Sequence, residues 1–357
     1  MAERPTSRPD VVALEGYHSP QMDVAVRLNT NESPLPPPAE FADALAEATR
    51  AIGWNRYPDR GAVRLRTALA ERYGVGADQV FAANGSNEVI QSLLLAYGGS
   101  GRSVAVFEPT YAMYALIARS TGTRVVRGRR EPDFALAPTV VADLLDTERP
   151  DLVVLCSPNN PTGTLDPGNL VSEVVEAAGS YGGLVVVDEA YGEFAPHSAV
   201  DLLDNGRNLV VSRTFSKTWA MAGARIGYLL APSWCVAELE KVALPYHLDA
   251  FKQVAGELAL AHGPAMDQRI SILVSERERM STALEALPVT TWPSAANFIL
   301  FRPEARPGRE VWQDLVDRSV LVRDFTTMEG VEGCLRVTIG TSDENDRFLN
   351  ALREALS

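Results

Sequence analysis

Cysteine is scarce in this 357-residue chain: Cys156, Cys235 and Cys334 are all it has. Their spacings fit no zinc or redox motif, and an odd, sparse set is not a disulfide framework. No metal site is expected. A Walker-type nucleotide loop is missing, because no G-x-x-x-x-G-K-[S/T] run occurs. No apolar run approaches the length of a membrane span. Met1 to Asp10 is polar and lacks the apolar centre of a signal peptide. A cytoplasmic protein is expected. Positive charge is outnumbered: 33 Lys and Arg stand against 46 Asp and Glu, a formal net charge of −13. That balance argues against a nucleic-acid partner held through its phosphates, and gives no reason to expect an anionic membrane partner. Small anionic substrates stay open, because a local arginine cluster can override a negative surface. Internal repeats and low-complexity segments are lacking too.

What remains is ordinary globular material, 46% hydrophobic and 22% charged. The length suggests about two domains and supports a large core without staples. Ser33 to Pro38 carries four prolines, so it is neither regular helix nor central strand. It should join an N-terminal arm (1–40) to the body. Helical segments are expected at Glu40–Ile52 and Ala62–Tyr73. Short β-branched runs follow at Val80–Ala83, Val104–Phe107, Leu152–Cys156, Leu184–Val187, Leu209–Ser212 and Ile226–Leu230, with helical stretches between them. Such runs read as buried strands of a mostly parallel sheet. The expected class is α/β, with a large domain over 41–246. A smaller α+β domain over 247–357 should hold a long helix (Pro264–Leu287), strands at Ala296–Phe301, Val320–Arg323 and Leu335–Ile339, and helices at Gly308–Arg318 and Glu344–Ala355. The arm is expected to pack with it.

Polar clusters sit just past five of the expected strands: Asn84–Asn87, Glu108–Tyr111, Ser157–Pro161, Asp188–Tyr191 and Arg213–Lys217. In open α/β sheets the ligand crevice lies outside the carboxyl ends of strands. In the last cluster Thr214 and Ser216 precede Lys217, and Arg225 follows. Hydroxyls plus a guanidinium can cradle a phosphate, and a phosphate site beside a lysine suits a phosphorylated aldehyde held as an imine. Asp188 ends a very apolar strand. It could cap a helix, or pair with the pyridinium nitrogen of pyridoxal 5′-phosphate (PLP) and keep that ring an electron sink. Tyr191 could reach the ring's phenolate oxygen. Asn160 could do so as well, although Asn159-Asn160-Pro161-Thr162-Gly163 also reads as a turn. Ser86 and Asn87 open a helix whose free N–H groups suit an anion, and equally suit a plain helix start. Tyr111 could stack on a pyridine ring or serve as ordinary core.

Taken as a set, Ser157–Gly163, Asp188–Tyr191, Ser216-Lys217 and Arg225 resemble the fold-type I, class I/II aminotransferases, and within them most closely the histidinol-phosphate group. The resemblance spans nearly the whole chain. It includes Leu28–Pro34, Arg56-Tyr57-Pro58-Asp59 and Cys334–Gly340. It implies PLP carried as a Schiff base on Lys217, which also serves as base for a 1,3-proton shift. Asp188 would face the ring nitrogen, Asn160 and Tyr191 the phenolate oxygen, and Tyr111 the ring face. Ser86, Asn87, Thr214, Ser216 and Arg225 would hold the phosphate. Tyr57 would reach the neighbouring subunit's cofactor, which implies a homodimer with shared sites. Arg336 would bind the substrate's anionic group, helped by Arg323, Tyr17 and Asn31. The implied reaction is ping-pong amino transfer between L-histidinol phosphate and 2-oxoglutarate, in histidine biosynthesis. An aromatic amino acid aminotransferase and a threonine-phosphate decarboxylase fit the same pattern. The Phe325–Gly333 loop and Glu32-Ser33-Pro34 are expected to line or cover the site.

Overall fold

The computed structural model describes residues 4–12, 14, 16 and 21–357, leaving aside the side chains of Pro9 and Asp10. The strands are β1 (Val26–Leu28), β2 (Val80–Ala83), β3 (Ser103–Glu108), β4 (Arg124–Arg129), β5 (Leu152–Cys156) and β6 (Leu184–Asp188). They continue with β7 (Leu209–Thr214), β8 (Gly227–Leu230), β9 (Val289–Thr291), β10 (Phe298–Pro303), β11 (Val320–Asp324) and β12 (Leu335–Thr338). Seven of them form one sheet in the order β2-β8-β7-β6-β5-β3-β4, and five form a second in the order β1-β11-β12-β10-β9.

The large sheet is covered on both faces, which explains its unbroken apolar runs. Along β6, Leu184 and Val186 enter one core while Val185 and Val187 enter the other. Neither face meets water, so no alternation of polar and apolar residues is called for. Each buried valine or leucine contributes roughly 1.5–3 kcal/mol relative to exposure. Edge strand β4 is different. Its sequence, Arg-Val-Val-Arg-Gly-Arg, alternates exposed arginine with buried positions, and it escaped the sequence reading for that reason. Gly128 in β4 is required by packing, since a Cβ there would lie 2.5 Å from the Phe107 ring.

Strands β3 to β7 run parallel to one another. β8 runs against both β7 and β2, so the sheet is mixed and β2 points the same way as β7. The reversal has a consequence for the site. The start of β8, at Gly227, lies in register with Ala83 and Thr214, the last residues of β2 and β7. Arg225, just before β8, therefore joins the carboxyl ends of the other strands.

The small sheet takes its edge strand β1 from the N-terminal segment, paired parallel to β11 (Val26 with Val320, Leu28 with Val322). Its core gathers Phe298, Phe301, Leu315, Phe348 and Leu352. Trp312 also packs there and satisfies its indole N–H on Val322 O at 2.9 Å. The closing helix, Ser342–Leu356, starts on a capping box between Thr341 and Glu344. The helix at Ala250–Ala261 puts Ala255 and Ala259 into the core of Phe41, Leu65 and Leu69, so it packs with the large sheet, whereas the sequence division at 246/247 grouped it with the small one. The next helix, Gly263–Glu285, runs from that core at Met266 to the small core at Leu273, Met280 and Leu284. Among the described residues no helix is long and apolar enough to cross a membrane.

Candidate active site

A cavity of about 470 Å³ opens where the carboxyl ends of β2, β3, β5, β6 and β7 face β11, β12 and the segment after β1. It is lined by Ser86, Asn87, Tyr111, Asn160, Asp188, Tyr191, Thr214, Ser216, Lys217 and Arg225 from the large body, and by Asn31, Arg323 and Arg336 from the small one. The structure thus brings together every expected site residue but two. Tyr57 is 80% exposed and stacks on Tyr246, with ring centroids 4.5 Å apart; it does not reach its own chain's cavity. Tyr17 lies outside the described residues.

One end of the cavity is a cradle for an anion. The helix Ser86–Tyr97 begins there, and no side chain caps its first turn, which leaves backbone N–H groups and the positive end of the helix dipole facing the cavity. Gly85 has φ +86°, and a Cβ on it would sit 2.7 Å from Arg225 Nη2. A Cβ on Gly227 would fall 2.4 Å from Ser86 N. Two glycines therefore let the helix start, the Arg225 guanidinium and β8 close together. Arg225 Nη1 donates to Ser216 Oγ at 3.4 Å, and Thr214 Oγ1 accepts from Ser216 N at 3.1 Å. Guanidinium, two hydroxyls and a helix N-terminus are the donors a phosphate needs.

At the floor stands Asp188. Burial pushes its carboxyl up to about 6, although the Tyr114 hydroxyl and the Ala190 N–H both oppose that shift. Tyr114 Oη donates to Oδ2 at 2.7 Å and Ala190 N to Oδ1 at 3.0 Å. Its partners are a phenol and a peptide N–H, with no ion pair among the described residues. A buried carboxylate in that condition calls for a cation, and a protonated pyridine supplies one. Glu189, the next residue, turns away and pairs with Arg213, Nη2 to Oε2 at 2.6 Å, both buried.

Lys217 Nζ donates to Thr30 O at 3.1 Å and lies 5.9 Å from the Tyr191 ring. Burial, aided by the charges of Arg336 and Arg225, lowers its ammonium to about 7. The amine is thus available at neutral pH as nucleophile and base. Tyr191 Oη accepts from Asn31 Nδ2 at 2.9 Å, which leaves its own proton for another acceptor. Burial raises this phenol well above its usual range, so the proton stays on.

The opposite wall is cationic. Arg336 Nη1 donates to Asn160 Oδ1 at 2.5 Å and Nη2 to Asn29 O at 3.2 Å. Arg323 stands opposite Arg336 on the paired strand, and both guanidiniums flank Phe325, at 5.9 and 5.2 Å from its ring centre. Phe325 and Met328 line the cavity, as the reading of that loop expected. The sequence reading passed over Thr110, which ties Asn159 to the strand end at 2.9 Å, and Tyr114. The latter had a signal: it stands three residues after Tyr111, on the same side of the helix beginning there. Sites for a metal are absent among the described residues, where no three His, Cys, Asp or Glu side chains cluster.

Residues 23–352 match the family described as aminotransferase class I and II. The chain belongs to that family. It is accordingly a PLP-dependent aminotransferase, and the anion cradle, the uncompensated Asp188 and the depressed Lys217 fit that cofactor. The chain is 48% identical to the histidinol-phosphate aminotransferase of Frankia casuarinae, over 98% of this chain and 90% of that one. With the histidinol-phosphate aminotransferase of Streptomyces avermitilis it shares 47%, over 95% and 93%. Among solved structures, histidinol-phosphate aminotransferase from Sinorhizobium meliloti in complex with pyridoxal-5′-phosphate superposes with a TM-score of 0.88 at 24% identity, covering 98% of this chain and 96% of the other. At that identity the superposition speaks for the fold.

Proposed function

We propose that this aminotransferase moves an amino group between L-histidinol phosphate and 2-oxoglutarate, a step of histidine biosynthesis, as a cytoplasmic homodimer. The observation that carries the substrate reading is the arginine pair on β11 and β12, facing the cavity across from Lys217. One substrate presents a phosphate ester and the other a carboxylate. A guanidinium fork pairs with either, so one pocket can serve both halves of a ping-pong cycle. The 41% to 48% identity to relatives named for this activity supports the same reading.

Bound PLP supplies an aldehyde that takes up the amino group and a ring that stores the electron pair released at the substrate's α-carbon. The chain supplies the rest. Ser86, Asn87, Thr214, Ser216 and Arg225 would hold the phosphate, and Asp188 the ring nitrogen. Asn160 and Tyr191 would donate toward the phenolate oxygen, while Tyr111 covers the ring face. Lys217 Nζ would take the proton from the substrate's α-carbon and deliver it to the former aldehyde carbon, and run the same transfer in reverse in the other half of the cycle. Its depressed pKa lets one group do both near neutral pH. Arg336, with Arg323 and Asn31, orients the substrate so that the α-proton faces Nζ. Loops from the small body, with Phe325 and Met328, narrow the way for water.

Tyr57 supports the dimer. It is 80% exposed although stacked on Tyr246, and large aromatic side chains left in solvent are of the kind that marks association. On this reading a partner's site buries Tyr57. Sedimentation should show a species of two chains; a monomer would remove the dimer.

The substrate reading is tested by a single-turnover half-reaction. PLP-loaded protein is mixed with L-histidinol phosphate or with L-phenylalanine, and conversion of the cofactor to its amine form is followed by absorbance. Faster conversion by histidinol phosphate is expected. Preference for phenylalanine would move the function to aromatic amino acids and leave the aminotransferase chemistry intact.

A further inference from the structure

We propose that Tyr114 is a positioning residue, whose hydroxyl fixes the Asp188 carboxylate in the plane and charge state that receive the cofactor's ring nitrogen. The inference rests on the reading of Asp188 as the partner of that nitrogen. Tyr114 lies on the helix Met113–Ser120, 2% exposed, and its ring packs into the core behind the large sheet. A core phenylalanine would fill that space equally well. What phenylalanine lacks is the hydroxyl, and this hydroxyl is spent on Asp188 Oδ2 at 2.7 Å. Ala190 N holds the other oxygen. Two donors on two oxygens leave the carboxylate one orientation, with lone pairs remaining for a third partner in the cavity.

The direction of the bond is settled by its surroundings. Burial and the charge of Asp188 drive the Tyr114 phenol well above its usual range, so it keeps its proton and donates. A donated hydrogen bond favours the ionised carboxylate, opposing the burial that would neutralise it. Glu189, the next residue, acts on Asp188 in the same direction as burial, and Cys156 stands in register with Asp188 on the adjacent strand. Burial pushes the Cys156 thiol up to about 12, so it stays neutral and adds no charge beside Asp188. Tyr114 also meets Tyr111 edge to face, at 5.5 Å and 84°, which sets the ring expected over the cofactor's face. One buried side chain thus orders two cofactor contacts.

The test is cofactor affinity, read by fluorescence titration of apoprotein with PLP and with its 1-deaza analogue, in which a carbon replaces the ring nitrogen. Wild type, Tyr114→Phe and Asp188→Asn are compared, with thermal melts to confirm folding. Tyr114→Phe should weaken PLP binding about tenfold or more, the scale of a buried hydrogen bond to a charged group, and leave the deaza analogue's affinity unchanged. Asp188→Asn should show the same selectivity for PLP with a larger loss. If Tyr114→Phe weakens both ligands equally, or neither, its hydroxyl does not act through Asp188 and the proposal fails. If Asp188→Asn leaves PLP affinity unchanged, the reading of Asp188 fails instead, whatever Tyr114→Phe does.

Discussion

Buried charge is handled in two ways on either side of the large sheet's edge. Behind the strand ends it is matched. Arg213 is paired with Glu189 and Glu193, and Arg130 with Asp166 by two contacts of 2.6 and 3.2 Å. Arg130 Nη1 also donates to Phe134 O at 3.1 Å, which ties the turn after β4 to the same buried pair. On the cavity side, Asp188 and Lys217 make no ion pair among the described residues. The contrast is sharpest between Asp188 and Glu189, adjacent in sequence and both buried. A protein that compensates its buried charges in one layer and leaves them uncompensated in the next is keeping the second set for something that binds. The other lysines underline this: Lys241 and Lys252 sit in surface pairs with Glu238 and Asp249.

The largest effect expected from this division is at Lys217. Lys217→Ala should cut turnover by about 10,000-fold or more, the combined scale of losing a general base and a covalent anchor. Lys241→Ala should leave turnover unchanged. Equal activities in a steady-state assay would erase the contrast between the lysines. Next comes Glu189. Glu189→Gln breaks a buried pair and should lower stability by about 3–5 kcal/mol in denaturant unfolding, because Arg213 loses its closest partner. Its turnover per folded molecule should stay near wild type. Asp188→Asn should reverse that pattern, with turnover down about 100- to 1000-fold and the apoprotein no less stable. Two variants with the same phenotype would break the comparison.

The smallest effect is in pH. Burial raises Asp188 from 3.8 to about 6, so the folded apoprotein holds this proton more tightly than the unfolded chain. Its ionisation opposes folding, from nothing below pH 4 to its full extent above pH 6. Asp188→Asn should therefore raise the apoprotein's Tm at pH 7, with the gain fading toward pH 4. Lys217 has the opposite sign. Lowered from 10.5 to about 7, it opposes folding fully below pH 7 and ceases to above pH 10.5. Lys217→Met should raise the Tm at pH 7 and lose that advantage as the pH rises through this window. Tm gains independent of pH would contradict both assignments.

Much of this was legible in the sequence, for a physical reason. Strand ends buried on both faces are apolar without interruption, so the polar residue that ends each run stands out. Asp188 after Leu184–Val187 and Lys217 after Leu209–Ser212 were conspicuous in that way. The antiparallel course of β8 was not, because Ile226–Leu230 reads the same in either direction. Edge strand β4 hid behind its arginines. The placement of Ala250–Ala261 was equally hidden, since an amphipathic helix declares that it has an apolar face but not which body receives it. Tyr114 was overlooked because a buried tyrosine on a helix looks like core, and only its hydrogen bond to Asp188 distinguishes it.

The central claim is that Lys217, at the carboxyl edge of the large sheet, is the residue that carries the cofactor. The most direct measurement is to reduce the PLP-loaded protein with borohydride, which adds hydride across the carbon–nitrogen double bond and makes the link permanent, and then to map it by peptide mass spectrometry. The account predicts the cofactor on the peptide containing Lys217, with Lys241 and Lys252 unmodified. The label on either of those lysines, or no covalent label on a protein that has bound PLP, would contradict it.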